Sequence, residues 1–291
     1  MRTYPDTYRD ESEHSPPDAA RQRARLAALR SEVQAIERRC PTPGRSALQG
    51  EAAWGFGAAD LDAWIGGGLE TGALHEVRPA AASAAAWASA EAFALALGRR
   101  RLVMLEGTGR HASAPILWVA PAVLGGEHGL PYGPGLAALG LDPARLLLVA
   151  PPRMSDVLWA MEEGLKSASL ALVVGLLSEA IALTPARRLA LAAAAHGTPC
   201  LAVTTPRASV TPATATRWRI APSPSRPPPF DAAAPGAALF TIALERCRAR
   251  PRAAEMPAMS LEWSDEACRF RLVCELQHRP ALSRRAARRA G

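Results

Sequence analysis

Lysine is almost absent from this chain of 291 residues. Lys166 is the only lysine, so arginine supplies 33 of the 34 basic residues. The formal net charge is +7, and the isoelectric point lies near 9.8. This balance permits an anionic partner such as nucleic acid, but it does not prove one. Chemistry that needs a lysine beside a phosphate has a single candidate residue.

Cysteine is scarce, and long apolar runs are missing. Five scattered cysteines do not make a disulfide framework, and no paired C-x-x-C knuckle accompanies Cys268, Cys274 and His278. We therefore expect no metal and no cofactor. The chain opens with polar residues rather than an apolar signal segment, and the apolar run near 170–177 is too short to span a bilayer. These absences predict a cytoplasmic protein with no membrane contact.

Short apolar segments alternate with helical ones from about 50 to 205, the region we predict to be the core. Such alternation is typical of a mostly parallel sheet covered on both faces, so the predicted fold class is α/β. Strands are expected at 73–77, 116–120, 145–150, 170–175 and 199–204. Helices are expected from the alanine-rich stretch ending at Leu97, within 131–141, at 154–167 with Ser155 as N-cap, and at 184–197 with Thr184 as cap.

Three further expectations concern details of this core. The segment 99–114 reads as a long loop insertion with at most a short apolar element. Trp87, Trp118 and Trp159 fall on predicted elements and are expected in the core. His75 and Glu76 lie at the end of the first predicted strand, where a structural hydrogen bond is the simplest role.

The two ends of the chain differ from the core. Residues 1–18 are predicted to be disordered, and 19–49 to form a helix and linker. Partial alternation after 205 predicts antiparallel strands at the sheet edge over 206–276, before a basic tail at 277–291. Two candidate partner-binding surfaces follow. The first is an apolar seam on the N-terminal helix, formed by Leu26, Leu29, Val33 and Ile36. The second is a basic face of the tail, formed by Arg284, Arg285, Arg288 and Arg289. The tail face could also make weak contact with DNA phosphates.

The segment after the first core strand occupies the place of a phosphate-binding loop. A P-loop needs glycines that let backbone N–H groups wrap the phosphates, a lysine for the outer phosphates, and a hydroxyl for magnesium. Here Val77 is followed by Arg78, Pro79 and a run of alanines, so the template fails at each position. The expected magnesium-orienting acid is also missing, because "LALVVG" ends at Gly175. These departures predict a degenerate nucleotide site without ATPase activity.

Two stretches resemble RecA-like proteins. "GAADLDAWIGGGLETGALHEV" (57–77) has the leucine–aspartate pair and glycine run that precede the first core strand of RecA-like domains. "EHGLPYGPGLAALGLDPARLLLVAP" (127–151) is similar to the RecA segment that leads from an acidic residue to a strand. Glu127 stands where a RecA-like ATPase has its water-activating glutamate. With "ILWV" and the late "TRWRIAPSPS", the pattern most resembles the ImuA family over roughly 19–276.

This resemblance implies a function that composition and spacing do not supply. It implies a non-enzymatic accessory protein of SOS-induced translesion DNA synthesis, associated with the nucleoid during DNA damage. It further implies assembly with an ImuB-like protein and an error-prone DNA polymerase, with contact to RecA or a second copy through the N-terminal helix. Two alternatives stay open: a RecA-type ATPase with an unorthodox site, and a cell-division inhibitor of the SulA group.

Overall fold

A computed structural model describes residues 53–108, 113–227, 230–231 and 234–273. The strands within these ranges are β1 (Ala53–Trp54), β2 (Leu69–Glu70), β3 (Leu74–Pro79), β4 (Ile116–Val119), β5 (Leu146–Val149), β6 (Leu172–Leu176), β7 (Cys200–Val203), β8 (Thr216–Ser223), β9 (Leu239–Cys247), β10 (Met259–Ser264) and β11 (Arg269–Val273). The α-helices are α1 (Ala59–Ile65), α2 (Ala84–Thr108), α3 (Ala122–His128), α4 (Gly133–Ala138), α5 (Met154–Lys166) and α6 (Leu183–His196). Short 3₁₀ helices cover Pro143–Arg145 and Pro251–Glu255.

The main sheet of the described region has nine strands in the order β11-β10-β9-β8-β3-β7-β6-β4-β5. The six strands from β8 to β5 are parallel, whereas β9, β10 and β11 are antiparallel to their neighbours. The predicted α/β class with a RecA-like core and antiparallel strands at one edge is therefore confirmed. No helix in the described ranges is both long and apolar enough to cross a bilayer.

Both faces of the sheet are buried, which explains why the parallel strands read as continuous apolar runs. One face packs against α2, with Trp118, Trp218 and Phe93 among its fully buried side chains. The other face packs against α5 and α6 through Met161 and Leu189. The antiparallel strands also supply core residues, namely Phe240, Ile242, Leu244, Leu261, Trp263 and Phe270. They are thus part of the main core.

The RecA-like glycine and aspartate residues shape the segment that leads into β3. The Asp62 carboxylate accepts hydrogen bonds from the backbone N–H groups of Phe56 (2.7 Å) and Gly57 (3.0 Å), which fixes the turn before α1. Gly66 ends α1 in the left-handed conformation. Gly68 has a φ of 123°, and a Cβ there would collide with the Trp54 carbonyl. These residues serve backbone geometry at the positions that carried the resemblance.

Three expectations about helices are wrong. The segment 99–108 belongs to α2, so only its end leaves room for a loop. The N-caps of α5 and α6 are Arg153 and Ala182, and neither makes a side-chain capping bond, so Ser155 and Thr184 both lie inside their helices. Each helix begins earlier than its polar residue because packing of the apolar face sets its start.

The core expectation holds for two of the three tryptophans. Trp87 and Trp118 are buried, whereas Trp159 is 63% exposed on the outer side of α5. The core side of α5 consists of Val157, Met161 and Leu165, which recur at a spacing of four. Trp159 lies on the opposite side of that helix, so an aromatic residue on a predicted helix was not sufficient evidence of burial.

Candidate functional site

The carboxyl ends of the parallel strands form the edge where α/β folds of this kind bind ligands. The loop 80–83 lies there, between β3 and α2. The backbone N–H of Ala80 donates to the Ile220 carbonyl (2.7 Å), and the N–H of Ala86 donates to the Ser83 hydroxyl (3.3 Å). Pro79 has no N–H to offer. Two donors that a phosphate cradle would use are therefore engaged within the fold.

The other groups of a nucleotide site are also committed elsewhere. Lys166 pairs with Glu162 (2.9 Å) and Glu163 (2.8 Å) along α5. Gly175 does not end β6, as the sequence suggested, because that strand continues to Leu176. A Cβ at Gly175 would overlap the Met161 sulfur, so a larger residue would force the buried Met161 side chain to move.

The glutamate that was compared with a RecA-type catalytic residue lies in a helix beside an aromatic stack. Glu127 and His128 end the short helix α3. The His128 ring stacks on Trp87, with ring centroids 4.7 Å apart and an interplanar angle of 18°. Since Trp87 lies in the first turn of α2 and α3 follows β4, the stack links the segments that follow two core strands. Glu91, one turn further along α2, has a pKa raised by burial to about 7.

His75 and Glu76 make the structural hydrogen bonds expected of them, although both lie within β3 and not at its end. The two ring nitrogens of His75 contact the Thr216 hydroxyl and the Glu70 carbonyl, each at 2.8 Å. Burial lowers the pKa of His75. Glu76 accepts a hydrogen bond from the Thr204 hydroxyl (2.7 Å). These contacts tie β3 to β7, to β8 and to the segment before β3.

Glu76 also belongs to a buried ion-pair network on the sheet. Arg217, opposite Glu76 on β8, lies 3.6 Å from its carboxylate and 3.2 Å from that of Glu245. Arg78 binds the Glu245 carboxylate with two guanidinium nitrogens, and Arg219 contacts it at 3.2 Å. A β-bulge between β8 and β9 at Arg217 interrupts the regular register where Glu245 meets this cluster. Three arginines thus surround two carboxylates.

The two carboxylates of the network experience opposite net effects. Burial raises the pKa of Glu76 and outweighs the Thr204 hydrogen bond and the positive charge of Arg217. Burial acts in the same direction on Glu245, but the hydrogen bonds and charge of Arg78, with Arg217 and Arg219, outweigh it and lower the pKa of Glu245. Glu245 is therefore the anion that holds the arginines together.

The arginines of this region also hold the segment between β7 and β8. Arg78 donates to the Pro206 carbonyl (2.6 Å), and Arg217 donates to the Ala208 carbonyl. Arg246 donates to the carbonyls of Thr214 (3.2 Å) and Pro212 (3.1 Å). Sequence reasoning missed this network. The sequence pattern that could have indicated the network is the alternation of arginine with an apolar residue at 217–219.

A second notable surface is the outer edge of β5. Among the described strands it pairs only with β4, and Leu147, Leu148 and Val149 are 46%, 47% and 39% exposed. Leu130 and Tyr132, which precede α4, are also exposed. The opposite outer strand, β11, carries the exposed charges of Arg269 and Arg271 instead. An apolar, uncharged edge strand is a typical protein contact surface, because monomeric proteins usually protect such edges.

The candidate partner-binding residues chosen from the sequence lie outside the described ranges. This applies to the N-terminal seam of Leu26, Leu29, Val33 and Ile36, and to the tail arginines Arg284, Arg285, Arg288 and Arg289. Cys274 and His278 are outside them as well, and Cys268 lies in the turn between β10 and β11 with a φ of 44°. Both surfaces remain predictions.

Fold and site together define a RecA-like α/β protein with an alanine-rich loop at the phosphate-binding position. The chain is 31% identical over 265 residues to the protein ImuA of Caulobacter vibrioides strain NA1000 / CB15N, covering 87% of this chain and 98% of that relative. The ImuA protein of strain ATCC 19089 / CIP 103742 / CB 15 matches with the same identity and coverage. No protein-family model matches. The chain belongs to the ImuA family, and this membership supports a family-level role in SOS mutagenesis and translesion synthesis.

Proposed function

We propose that the chain is a non-enzymatic adaptor of SOS-induced translesion DNA synthesis that assembles with an ImuB-like protein and an error-prone DNA polymerase. The observation that carries the non-enzymatic part is the loop 80–83, where backbone donors bind Ile220 and Ser83 inside the fold. A nucleotide phosphate would have to displace both hydrogen bonds, and the loop has no lysine whose charge would compensate for that loss. Lys166 is held by two glutamates on α5.

The assembly part of the proposal rests on family membership and on available surface. An adaptor needs contact surfaces more than a pocket, and the edge of β5 supplies exposed leucine and valine side chains beside unpaired backbone groups. The N-terminal seam and the basic tail are further surfaces of the proposal. Association with the nucleoid during DNA damage follows from the role itself.

Point substitutions test this proposal better than truncation. Deletion of 236–291 would remove β9, β10 and β11, which contribute Phe240, Leu261, Trp263 and Phe270 to the core. A chain that ends at Pro235 loses these residues and exposes their apolar partners on β8 and α2. A loss of binding by that fragment would therefore report unfolding.

The test is affinity purification of the full chain from DNA-damaged cells beside two variants. Leu147→Lys/Leu148→Lys places charge on the β5 edge, and Leu191→Lys places the same type of charge on α6, where Leu191 is 67% exposed. We expect translesion proteins with the wild type and the Leu191 variant, and their loss with the edge variant. Retention by the edge variant would remove β5 from the contact surface. Absence of translesion proteins from the wild-type sample would contradict the adaptor role.

A second measurement tests the enzymatic alternative directly. The purified chain should show no ATP hydrolysis above background and no nucleotide-dependent increase in melting temperature. The loop 80–83 consists of three alanines and Ser83. Ala80→Asp is therefore a suitable variant to probe whether this loop binds a phosphate. Turnover that the aspartate variant abolishes would establish a RecA-type ATPase with an unorthodox site.

A further inference from the structure

Four arginines at a spacing of two residues begin inside β9 near its carboxyl end and continue beyond it: Arg246, Arg248, Arg250 and Arg252, here called the arginine row. β9 ends opposite the first residue of β8, beside the start of β3. The row therefore lies at the amino ends of the parallel strands. This is the edge opposite the loop 80–83, so the row is separate from the degenerate nucleotide site.

The contacts of the row hold its members in place but neutralise few of their charges. Arg246 donates to the carbonyls of Thr214 and Pro212, and Arg250 donates to that of Ala63 (2.9 Å) at the end of α1. A carbonyl group accepts a hydrogen bond from a guanidinium but has no net charge, so it orients the arginine without neutralising it as a carboxylate does. Arg248 alone pairs with a carboxylate, that of Glu70 at 3.0 Å.

Most of the row's charge is consequently available to a ligand. Among the described residues, Arg246, Arg250 and Arg252 have no carboxylate partner within ion-pair distance. The side chain of Arg248 is 50% exposed, and Arg250 and Arg252 are also exposed. Two exposed arginines elsewhere are neutralised by carboxylates: Arg153 pairs with Asp156 (2.9 Å) and Arg271 with Glu262.

The surroundings of the row favour a polyanion over a protein. Protein interfaces usually contain an apolar core, often aromatic. None of the large apolar side chains exposed in the described part of the chain belongs to α1, β2 or the segment 246–252. The row has no exposed aromatic side chain as a platform for bases, so its main nucleic-acid contacts are expected to go to phosphates. Guanidinium groups suit that role because they bind phosphate oxygens in bidentate fashion.

We propose that the arginine row binds the phosphate backbone of DNA without reading its sequence. The inference stands apart from the adaptor role, because it depends only on the charges and surroundings of the row. It assigns DNA contact to a folded part of the chain, in addition to any contact through the basic tail. In an assembly on DNA, this edge would face the nucleic acid while the β5 edge remained free for protein.

The test compares two double variants of the full chain with equal changes of net charge. Arg250→Gln/Arg252→Gln removes two unneutralised charges, and glutamine keeps an N–H donor for the end of α1. Arg153→Gln/Arg271→Gln removes two charges that already have carboxylate partners. Binding to a labelled duplex of arbitrary sequence is measured by fluorescence anisotropy over a series of NaCl concentrations, with melting temperatures as the check on folding.

The row variant should bind roughly 60-fold more weakly at 0.1 M salt, and its log–log salt slope should be smaller by about 1.8. The control variant should resemble the wild type. Arg252→Glu is a third variant for the case in which Arg250→Gln disturbs folding, because Arg252 makes no hydrogen bond to any residue in the described ranges. Equal slopes for the row and control variants, or no DNA binding by the wild type, would overturn the proposal.

Two further outcomes are decisive. Row-dependent binding to poly-glutamate without row-dependent binding to DNA would overturn DNA as the ligand and indicate an acidic protein segment. Failure of the adaptor role is measured separately, by co-purification of translesion proteins. A row variant that still co-purifies with them but no longer binds DNA supports this inference independently of the adaptor proposal.

Discussion

Replacement of Arg217 by methionine should destabilise the fold far more than the same change at Arg219. Both arginines contact Glu245, but the side chain of Arg217 is 2% exposed and that of Arg219 is 45% exposed. Arg217→Met leaves the Glu76 carboxylate buried with its Thr204 hydrogen bond and the weaker effect of the Arg78 charge. Removal of one partner of a buried ion pair costs about 3–5 kcal/mol, whereas an exposed pair contributes about 1 kcal/mol or less.

Urea unfolding at several pH values measures this difference. Burial already raises the pKa of Glu76 from its ordinary value of 4.5, and loss of Arg217 should raise it further. A carboxyl with a raised pKa binds its proton more tightly in the folded state, so stability falls as pH rises from the unfolded pKa to the folded one. The Arg217→Met deficit should therefore be smaller near pH 5 than at pH 7, and Glu76→Gln should recover part of it. A deficit equal to that of Arg219→Met, or independent of pH, would refute this account.

Three other predictions concern the core. Gly175→Ala should cost about 1–3 kcal/mol in urea unfolding through collision with Met161, and an unchanged midpoint would contradict the close packing there. Glu91→Gln should raise the free energy of unfolding by about 3 kcal/mol at pH 8 but little at pH 4, since burial raises the pKa of Glu91 from 4.5 to about 7; equal effects at both pH values would disprove the raised pKa. His128→Ala should cost about 0.5–1.5 kcal/mol beyond lost area, and a cycle with Trp87→Ala should show coupling between the two rings.

The alternation of apolar strands and helices was enough to predict the α/β class, because strands buried on both faces lack the polar residues of exposed ones. It was not enough to predict which strand lies at the edge. β5 has the sequence Leu-Leu-Leu-Val and reads like a central strand, yet it is only partly buried. Strand order arises from contacts between distant segments, which local periodicity does not record.

The sequence also gave an incomplete account of the candidate site. The alanines after Pro79 predict a loop unlike a P-loop, because residue identity alone decides whether a lysine or glycine is present. The ion-pair network was not predictable in the same way. Arg78, Arg217 and Glu245 are separated by up to 167 positions and meet only because β3, β8 and β9 are neighbours. In the sequence, Gly175 was interpreted as the position where a magnesium-orienting acid is missing. In the structure, the packing of Met161 from α5 explains why a residue without a side chain lies there.

Three arginines anchor the segment between β7 and β8 through its main chain. Arg78, Arg217 and Arg246 bind the carbonyl oxygens of Pro206, Ala208, Pro212 and Thr214, which every amino acid possesses. These contacts therefore place little demand on the exposed side chains of the segment. Exposed positions such as Arg207 and Val210 can change in character while the backbone path persists. Related chains could thus vary the outer surface of this segment without having to evolve a new way of fixing it to the sheet.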